Sequence, residues 1–284
     1  MGASRSGLFE RLTALTYDLG GPGTRERLAK LSPPENEYGV DPYGLDVDTL
    51  IAAAAPGLWL YRKYFRVQVF GLENVPPTGR VLIVSNHSGQ LPLDGVMVGL
   101  ALLFEMDPPR CVRALAEKWV PTLPFVSSLY SRIGVVVGTP ENCRRLLAAD
   151  EAILVFPEGV RGLNKPYTKR YQLQQFGSGF MRLALEANAP IVPVGVVGAE
   201  EQAPALLNLK TVARVLAMPS FPLTPTILPL PLPTRYRIHF GDPLRFNGSA
   251  DDEDAVIEEK VAIVQGAIQR LLDDGVRQRQ HVFW

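Results

Sequence analysis

The chain is poor in cysteine and histidine. Cys111 and Cys143 are its two cysteines, and His87, His239 and His281 its three histidines, among 284 residues. A single cysteine pair in a chain of this size is no disulfide framework and reads as reduced, buried thiols. The histidines are far apart in sequence, and no spacing with other ligand types marks a metal site. Neither sign of charge is in excess, since 29 basic residues balance 29 acidic ones. Broad nucleic-acid binding needs a basic surplus, so nucleic acid is not expected as a partner. Long apolar runs are missing too. A spanning helix needs ~20 apolar residues. Leu50–Tyr61 is too short and carries Pro56-Gly57, and the uncharged stretch Val215–Thr234 holds six prolines that forbid a continuous helix. Residues 1–11 lack the apolar core and small-residue cleavage site of a signal peptide. The expectation is a cytoplasmic protein without a spanning helix.

What is present is an alternation of strand and helix signals. Residues 1–45, polar and rich in Gly and Pro, read as a loosely packed extension with short helices near Gly7–Tyr17 and Thr24–Leu31. Asp46–Phe65 reads as a helical segment bent at Pro56-Gly57. It ends in Trp59, Tyr61, Arg62, Lys63, Tyr64, Phe65 and Arg66. Two readings fit that cluster: a membrane-interface helix, where rings lie at headgroup depth and cations meet anionic lipid, or a helix packed on the domain with solvated charges. From Arg66 onward, strands at Val67–Phe70, Val81–Ser85, Cys111–Leu115, Val135–Val137, Ala152–Phe156, Ile191–Val197 and Tyr236–Phe240 alternate with helices at Asp94–Phe104, Pro121–Arg132, Pro140–Ala149 and Phe176–Asn188. Asp94 suits the N-cap of the first. Asp251–Asp274 closes the chain as an amphipathic helix. The pattern predicts an α/β fold: a mixed, mostly parallel central sheet flanked by helices, with an N-terminal helical extension. The division expected is 1–65 for the extension, with its possible membrane-interface helix, and 66–284 for the main domain.

Two motifs leave strand ends, where open α/β sheets bind ligands. Asn86-His87-Ser88-Gly89-Gln90-Leu91-Pro92-Leu93-Asp94 follows the apolar run 81–84. Phe156-Pro157-Glu158-Gly159-Val160-Arg161 follows the run 152–155. A neutral His can take a proton from a hydroxyl at cellular pH, and a carboxylate on its other ring nitrogen fixes the tautomer. His87 and Asp94 fit those roles if the loop folds back. A surface loop with a capping Asp and an incidental His is the plainer reading. Gly159 lets backbone approach a ligand, and Arg161 offers a fork of donors suited to phosphate. An exposed loop with a structural salt bridge fits the same residues. Lys165, Tyr167, Lys169, Arg170 and Tyr171 add polar groups downstream. No Gly-x-Ser-x-Gly elbow is present, which disfavours a serine hydrolase.

Taken in order, Asn-His followed by Asp, then Phe-Pro-Glu-Gly-x-Arg, then Ala189-Pro190-Ile191-Val192-Pro193-Val194, the chain resembles the glycerolipid acyltransferase family. That family includes 1-acylglycerol-3-phosphate and other lysophospholipid acyltransferases. The resemblance spans roughly residues 66–241. It implies catalytic roles for His87 as general base and Asp94 as its orienting partner. It implies acceptor binding by Glu158 and Gly159 at the glycerol portion and by Arg161 at a phosphate, with Pro193 in the downstream element that shapes the site. The donor would be acyl-CoA or acyl-carrier protein, a co-substrate, with no bound cofactor and no metal. The partners implied are a lipid acceptor, the acyl donor and a membrane surface, with peripheral attachment; the oligomeric state stays open.

Two departures stand out. The family usually places four residues between His and Asp, whereas six intervene here, Ser88–Leu93. A Gly-x-x-x-x-x-Arg element, whose Arg helps bind phosphate, here reads Gly134 to Pro140. Arg132 or Arg144 could substitute; otherwise the acceptor is an uncharged acylglycerol. A non-catalytic lipid-binding protein at the membrane surface is the further alternative. An acyl groove would draw on Leu91, Leu93, Val96 and Trp119–Phe125. The proline-rich Phe221–Pro233 reads as a membrane-dipping lid or as a rigid surface loop.

Overall fold

A computed structural model describes residues 7–31, 36–88, 92–117, 126–163, 165–204, 207–208, 222–223 and 231–283. Seven strands form the central sheet: β1 Gln68–Phe70, β2 Val81–Ser85, β3 Val112–Ala116, β4 Val136–Val137, β5 Ala152–Val155, β6 Ile191–Val197 and β7 Arg237–Phe240. Their order across the sheet is β1-β7-β6-β2-β5-β3-β4. Every neighbouring pair is parallel except β6 and β7. This is the mixed, mostly parallel sheet expected.

The central strands are near-continuous apolar runs because both faces are covered. Their alternation decides which face each residue serves. Val81 and Ile83 join one core, whereas Leu82 and Val84 join the other. The first face is covered by α3 (Val47–Trp59) and α4 (Leu93–Phe104), through Ile51, Leu58, Met97 and Ala101. The second is covered by α6 (Pro140–Ala148), α8 (Gly179–Ala187) and α10 (Asp254–Gln278), through Leu146, Met181, Val264 and Ile268. The remaining helices are short or peripheral: α1 Gly7–Gly20, α2 Thr24–Leu28, α5 Val126–Arg132, α7 Val160–Leu163 and α9 Ala199–Gln202.

The N-terminal region is packed more firmly than its composition implied. Thr16, fully buried, donates its hydroxyl to the Ile51 carbonyl of α3 at 2.7 Å. Arg27 reaches the Phe104 carbonyl at the end of α4 at 2.9 Å. Leu28, Ile51, Leu58, Tyr61 and Phe65 belong to the same core as Val81 and Ile83, so no separate core marks a boundary at residue 65. Asp46 caps α3 by accepting the Thr49 N–H at 3.1 Å. The helix runs on through Pro56 and widens into a π turn at Leu60–Tyr64.

That turn redirects the aromatic and basic cluster inward. Tyr61 and Phe65 are fully buried, and Phe65 packs on Tyr236 with ring centroids 4.7 Å apart. Arg62 pairs with Glu105 at 2.7 Å, and Arg66 donates to the Pro233 and Phe283 carbonyls. Trp59 and Lys63 stay exposed. The terminal helix begins later than expected, at Asp254, and continues to Gln278; α8 likewise begins at Gly179 instead of Phe176. Residues 118–125, and all of Phe221–Pro233 except 222–223 and 231–233, lie outside the described residues, as does Leu91.

Candidate active site

The parallel strands β5, β2 and β6 are neighbours, so their C-terminal ends open on one edge. At the end of β2, buried Asn86 replaces the strand ladder with its side chain. Its Nδ2 donates to the Val196 carbonyl at 3.1 Å, and its Oδ1 accepts the Val196 N–H at 2.8 Å. This fastens the end of β2 to β6 and turns the chain out at His87.

The longer loop brings His87 and Asp94 together. His87 Nδ1 lies 2.8 Å from Asp94 Oδ2. The same oxygen accepts the Ser88 N–H at 2.9 Å, and Asp94 Oδ1 accepts the Gly95 N–H at 2.8 Å. Asp94 does not cap α4 as anticipated. The helix starts one residue earlier, Pro92 stands at its N-cap without a side-chain bond, and the Asp94 carboxylate faces the imidazole. It is completely buried, whereas the His87 side chain keeps 12% of its surface exposed. A carboxylate on Nδ1 selects the tautomer with its proton there and leaves Nε2 to accept one. The imidazole also stacks on Phe156, centroids 4.2 Å apart and planes 24° apart.

From the end of β5 comes Glu158, and its placement differs from the expected contact with an acceptor. The residue is 1% exposed. Its Oε1 accepts the His87 N–H at 2.9 Å, and its Oε2 accepts the Gln174 N–H at 2.7 Å. Both oxygens therefore hold main chain, including that of the histidine. Gly159 has φ +54°, a left-handed conformation that favours glycine. Gly162, on α7, sits against the histidine loop: a Cβ there would lie 2.5 Å from the His87 carbonyl oxygen. Arg161, on the same short helix, is exposed, with Nη1 3.4 Å from Gln175 Oε1.

The end of β6 contributes residues that motif reading missed. Helix α9 buries three consecutive polar side chains, Glu200, Glu201 and Gln202. Glu200 meets Lys165 at 3.0 Å, and Lys165 lies 3.6 Å from Glu158 Oε2. Burial pushes the Glu200 carboxyl up to about 7, against the pull of the Lys165 ammonium. Glu201 pairs with Arg279 at 2.7 Å and accepts the Tyr171 hydroxyl. Gln202 accepts the Tyr236 hydroxyl at 2.6 Å. Of the residues expected at the site, His87, Asp94 and Glu158 are joined by hydrogen bonds, and Gly159 and Arg161 follow directly on the same turn. Pro193 lies inside β6, paired with Val84. At the position of the absent arginine, Pro140 opens α6, and the nearby Arg144 is held by Glu186 at 2.9 Å.

Fold and site define the class. Residues 66–197 match the family model described as Acyltransferase and form a domain of that family, with homology to 1-acyl-sn-glycerol-3-phosphate acyltransferases. It is 39% identical over 260 residues to an uncharacterized protein of Mycobacterium leprae (strain TN), covering 87% of this chain and 71% of the relative. It is 31% identical over 152 residues to the 1-acyl-sn-glycerol-3-phosphate acyltransferase alpha of Mus musculus, covering 48% of each. It is 25% identical over 206 residues to the human DGAT1/2-independent enzyme synthesizing storage lipids, covering 72% of this chain and 60% of the relative. In fold, it matches the crystal structure of the 1-acyl-sn-glycerophosphate (LPA) acyltransferase PlsC from Thermotoga maritima. The TM-score is 0.56 at 14% identity, over 96% of this chain and 97% of the other.

Proposed function

We propose that the protein transfers a fatty acyl group from a thioester donor, acyl-CoA or acyl-carrier protein, to a hydroxyl of a lysophospholipid such as 1-acylglycerol-3-phosphate. The observation that carries this reading is the 2.8 Å contact between His87 Nδ1 and buried Asp94 at the edge where three strands end. His87 Nε2 takes the proton of the acceptor hydroxyl as its oxygen attacks the thioester carbonyl. The tetrahedral intermediate then expels the thiolate, which recovers that proton from His87. Asp94 stabilises the imidazolium between the two steps. No acyl-enzyme forms, so Ser85 and Ser88 need no nucleophilic role. Arg161, exposed beside the histidine loop, pairs with the acceptor phosphate through its fork of donors.

An uncharged acylglycerol acceptor is the second reading. Pro140 favours it, because it removes a cation where the family has one. The storage-lipid relative is consistent with that choice.

For localisation, the reading is peripheral attachment. Among the described residues no helix is long and apolar enough to cross a membrane. Leu8 and Leu15 on α1, Trp59 on α3 and Val96 on α4 are large apolar residues left exposed, and Val96 lies two residues after Asp94. They supply an apolar contact with a bilayer surface.

The test is thiol release from acyl-CoA and from acyl-carrier protein, against a panel of lysophospholipids and acylglycerols, with wild type and His87→Ala. Acceptor-dependent release by wild type that falls on the order of 100- to 10,000-fold in the variant supports the reading. A folded His87→Ala protein that turns over like wild type ends it.

A further inference from the structure

One buried cation stands between the acids at the ends of β5 and β6. Lys165 Nζ is 3.0 Å from Glu200 and 3.6 Å from Glu158, and the three side chains are 2%, 7% and 0% exposed. Fully ionised, the group carries one net negative charge. A buried carboxylate deprived of its counter-charge takes up a proton or leaves its place. Glu158 matters most here, because its other oxygen accepts the His87 N–H.

We propose that Lys165 is a positioning residue: it holds Glu158 aimed at the His87 main chain, and so sets where the His87–Asp94 pair stands. The proposal rests on the reading of His87 as general base. Lys165 does not meet substrate, since its ammonium is enclosed by the two acids. Separately from its side chain, the Lys165 main-chain N–H donates to the Gly162 carbonyl at 3.4 Å, which places the residue next to the turn that carries Arg161 and lies against His87. Glu200 anchors the ammonium to α9, which follows β6, the strand that Asn86 also grips.

The test uses the full chain carrying Lys165→Met, Lys165→Arg, Glu200→Gln and the double change Lys165→Met/Glu200→Gln. Melting temperature, kcat, acceptor KM and hydrogen exchange at the His87 amide are measured for each. Lys165→Met leaves Glu158 and Glu200 without the cation that stands between them. We expect kcat to fall on the order of 100-fold, with a smaller change in KM, and the His87 amide to exchange faster. Lys165→Arg keeps the charge and the slow exchange. The double variant removes one acid together with the ammonium and leaves Glu158 with its two main-chain donors. It should recover roughly 10-fold of the lost kcat and regain protection at His87.

A double variant as impaired as Lys165→Met, or more so, overturns the proposal and reduces Lys165 to a packing residue. If Lys165→Met does not fold, the double variant decides: folding and turnover support the proposal, and a second failure to fold overturns it. If wild type transfers no acyl group to any acceptor, the functional reading fails, while exchange at the His87 amide still decides this proposal.

Discussion

Asp94 Oδ2 accepts from two groups of the same loop, the His87 ring nitrogen at 2.8 Å and the Ser88 main-chain N–H at 2.9 Å. One buried oxygen therefore sets both the tautomer of the imidazole and the course of the chain that carries it. Asp94→Asn keeps the shape but offers an amide in place of a charged acceptor. It should lower kcat on the order of 1,000-fold or more while acceptor KM changes little. Steady-state kinetics at saturating donor will check this; a decrease under tenfold would remove Asp94 from the mechanism.

Gly162 is the second point of control. Any side chain there meets the His87 carbonyl, since a Cβ would stand at 2.5 Å. Gly162→Ala should push the loop away, lowering kcat and costing about 1–3 kcal/mol in stability. Thermal melting and kinetics on the same preparation separate the two effects. An alanine variant with wild-type values for both would show that the loop gives way freely.

Arg161→Ala should chiefly raise the apparent KM for an anionic acceptor. Loss of a charge-assisted contact of ~1.5–3 kcal/mol corresponds to roughly 10- to 150-fold. An uncharged monoacylglycerol should be used equally well by wild type and variant. Should wild type prefer the monoacylglycerol and the variant treat both alike, Arg161 is structural and the uncharged-acceptor reading takes over.

His239 gives a pH dependence of stability with a definite sign. Burial, reinforced by Arg237, lowers its pKa from 6.5 to about 4 in the folded chain, although Asp274 opposes the shift. Between those values the unfolded chain binds a proton that the folded chain refuses. Its contribution is full above pH 6.5 and is lost as pH falls towards 4. The loss is on the order of 2 kcal/mol, allowing for solvent near the ring. His239→Phe retains the stack on Phe70, whose ring centroid is 4.6 Å away. The variant should show a flatter melting temperature from pH 6.5 to 4 than wild type. Parallel curves would exclude His239 as the source.

Membrane attachment should depend on apolar contact more than on charge. Arg62 is paired with Glu105, and Arg66 is bound to carbonyls, so of the cations in the cluster Arg62 and Arg66 are engaged within the molecule and Lys63 is exposed. Co-sedimentation with phosphatidylglycerol vesicles should survive high salt and weaken in Trp59→Ser and Leu15→Ser. Attachment abolished by salt alone would restore the electrostatic account.

These outcomes also show which physical signals a sequence carries. The strands and their order along the chain were readable because each is a short apolar run between turn residues. His87 stood out because it ends one of those runs. The function of Asp94 was only half legible: its position near a helix start suits a cap, and nothing local says that its carboxylate turns back to the loop. That both oxygens of Glu158 hold main chain was not legible, because motif spacing does not give the direction of a side chain. Lys165 and Glu200 are 35 residues apart and meet only through the sheet. A signal existed in the unbroken acidic pair Glu200-Glu201, which two residues separate from the end of a fully buried apolar strand, where burial is expected and solvent is not. The inward turn of the aromatic cluster was hidden because it depends on a π turn after Pro56.

The placement of β7 decides how the chain can be divided. Every group in the constellation of His87, Asp94 and Glu158 falls within the segment matched by the family model, 66–197. Yet β7 lies between β1 and β6 and is supplied by chain forty residues beyond that segment. Excision at 197 would detach β1 from the sheet, bare the outer edge of β6, and strip away the α10 side chains covering its face. It would also delete Glu200 and the ring of Tyr236 on which Phe65 rests. The segment that bears the motifs thus lacks structural autonomy: its chemistry belongs to a scaffold closed by residues from both flanks, and any shortened form intended for assay must keep them.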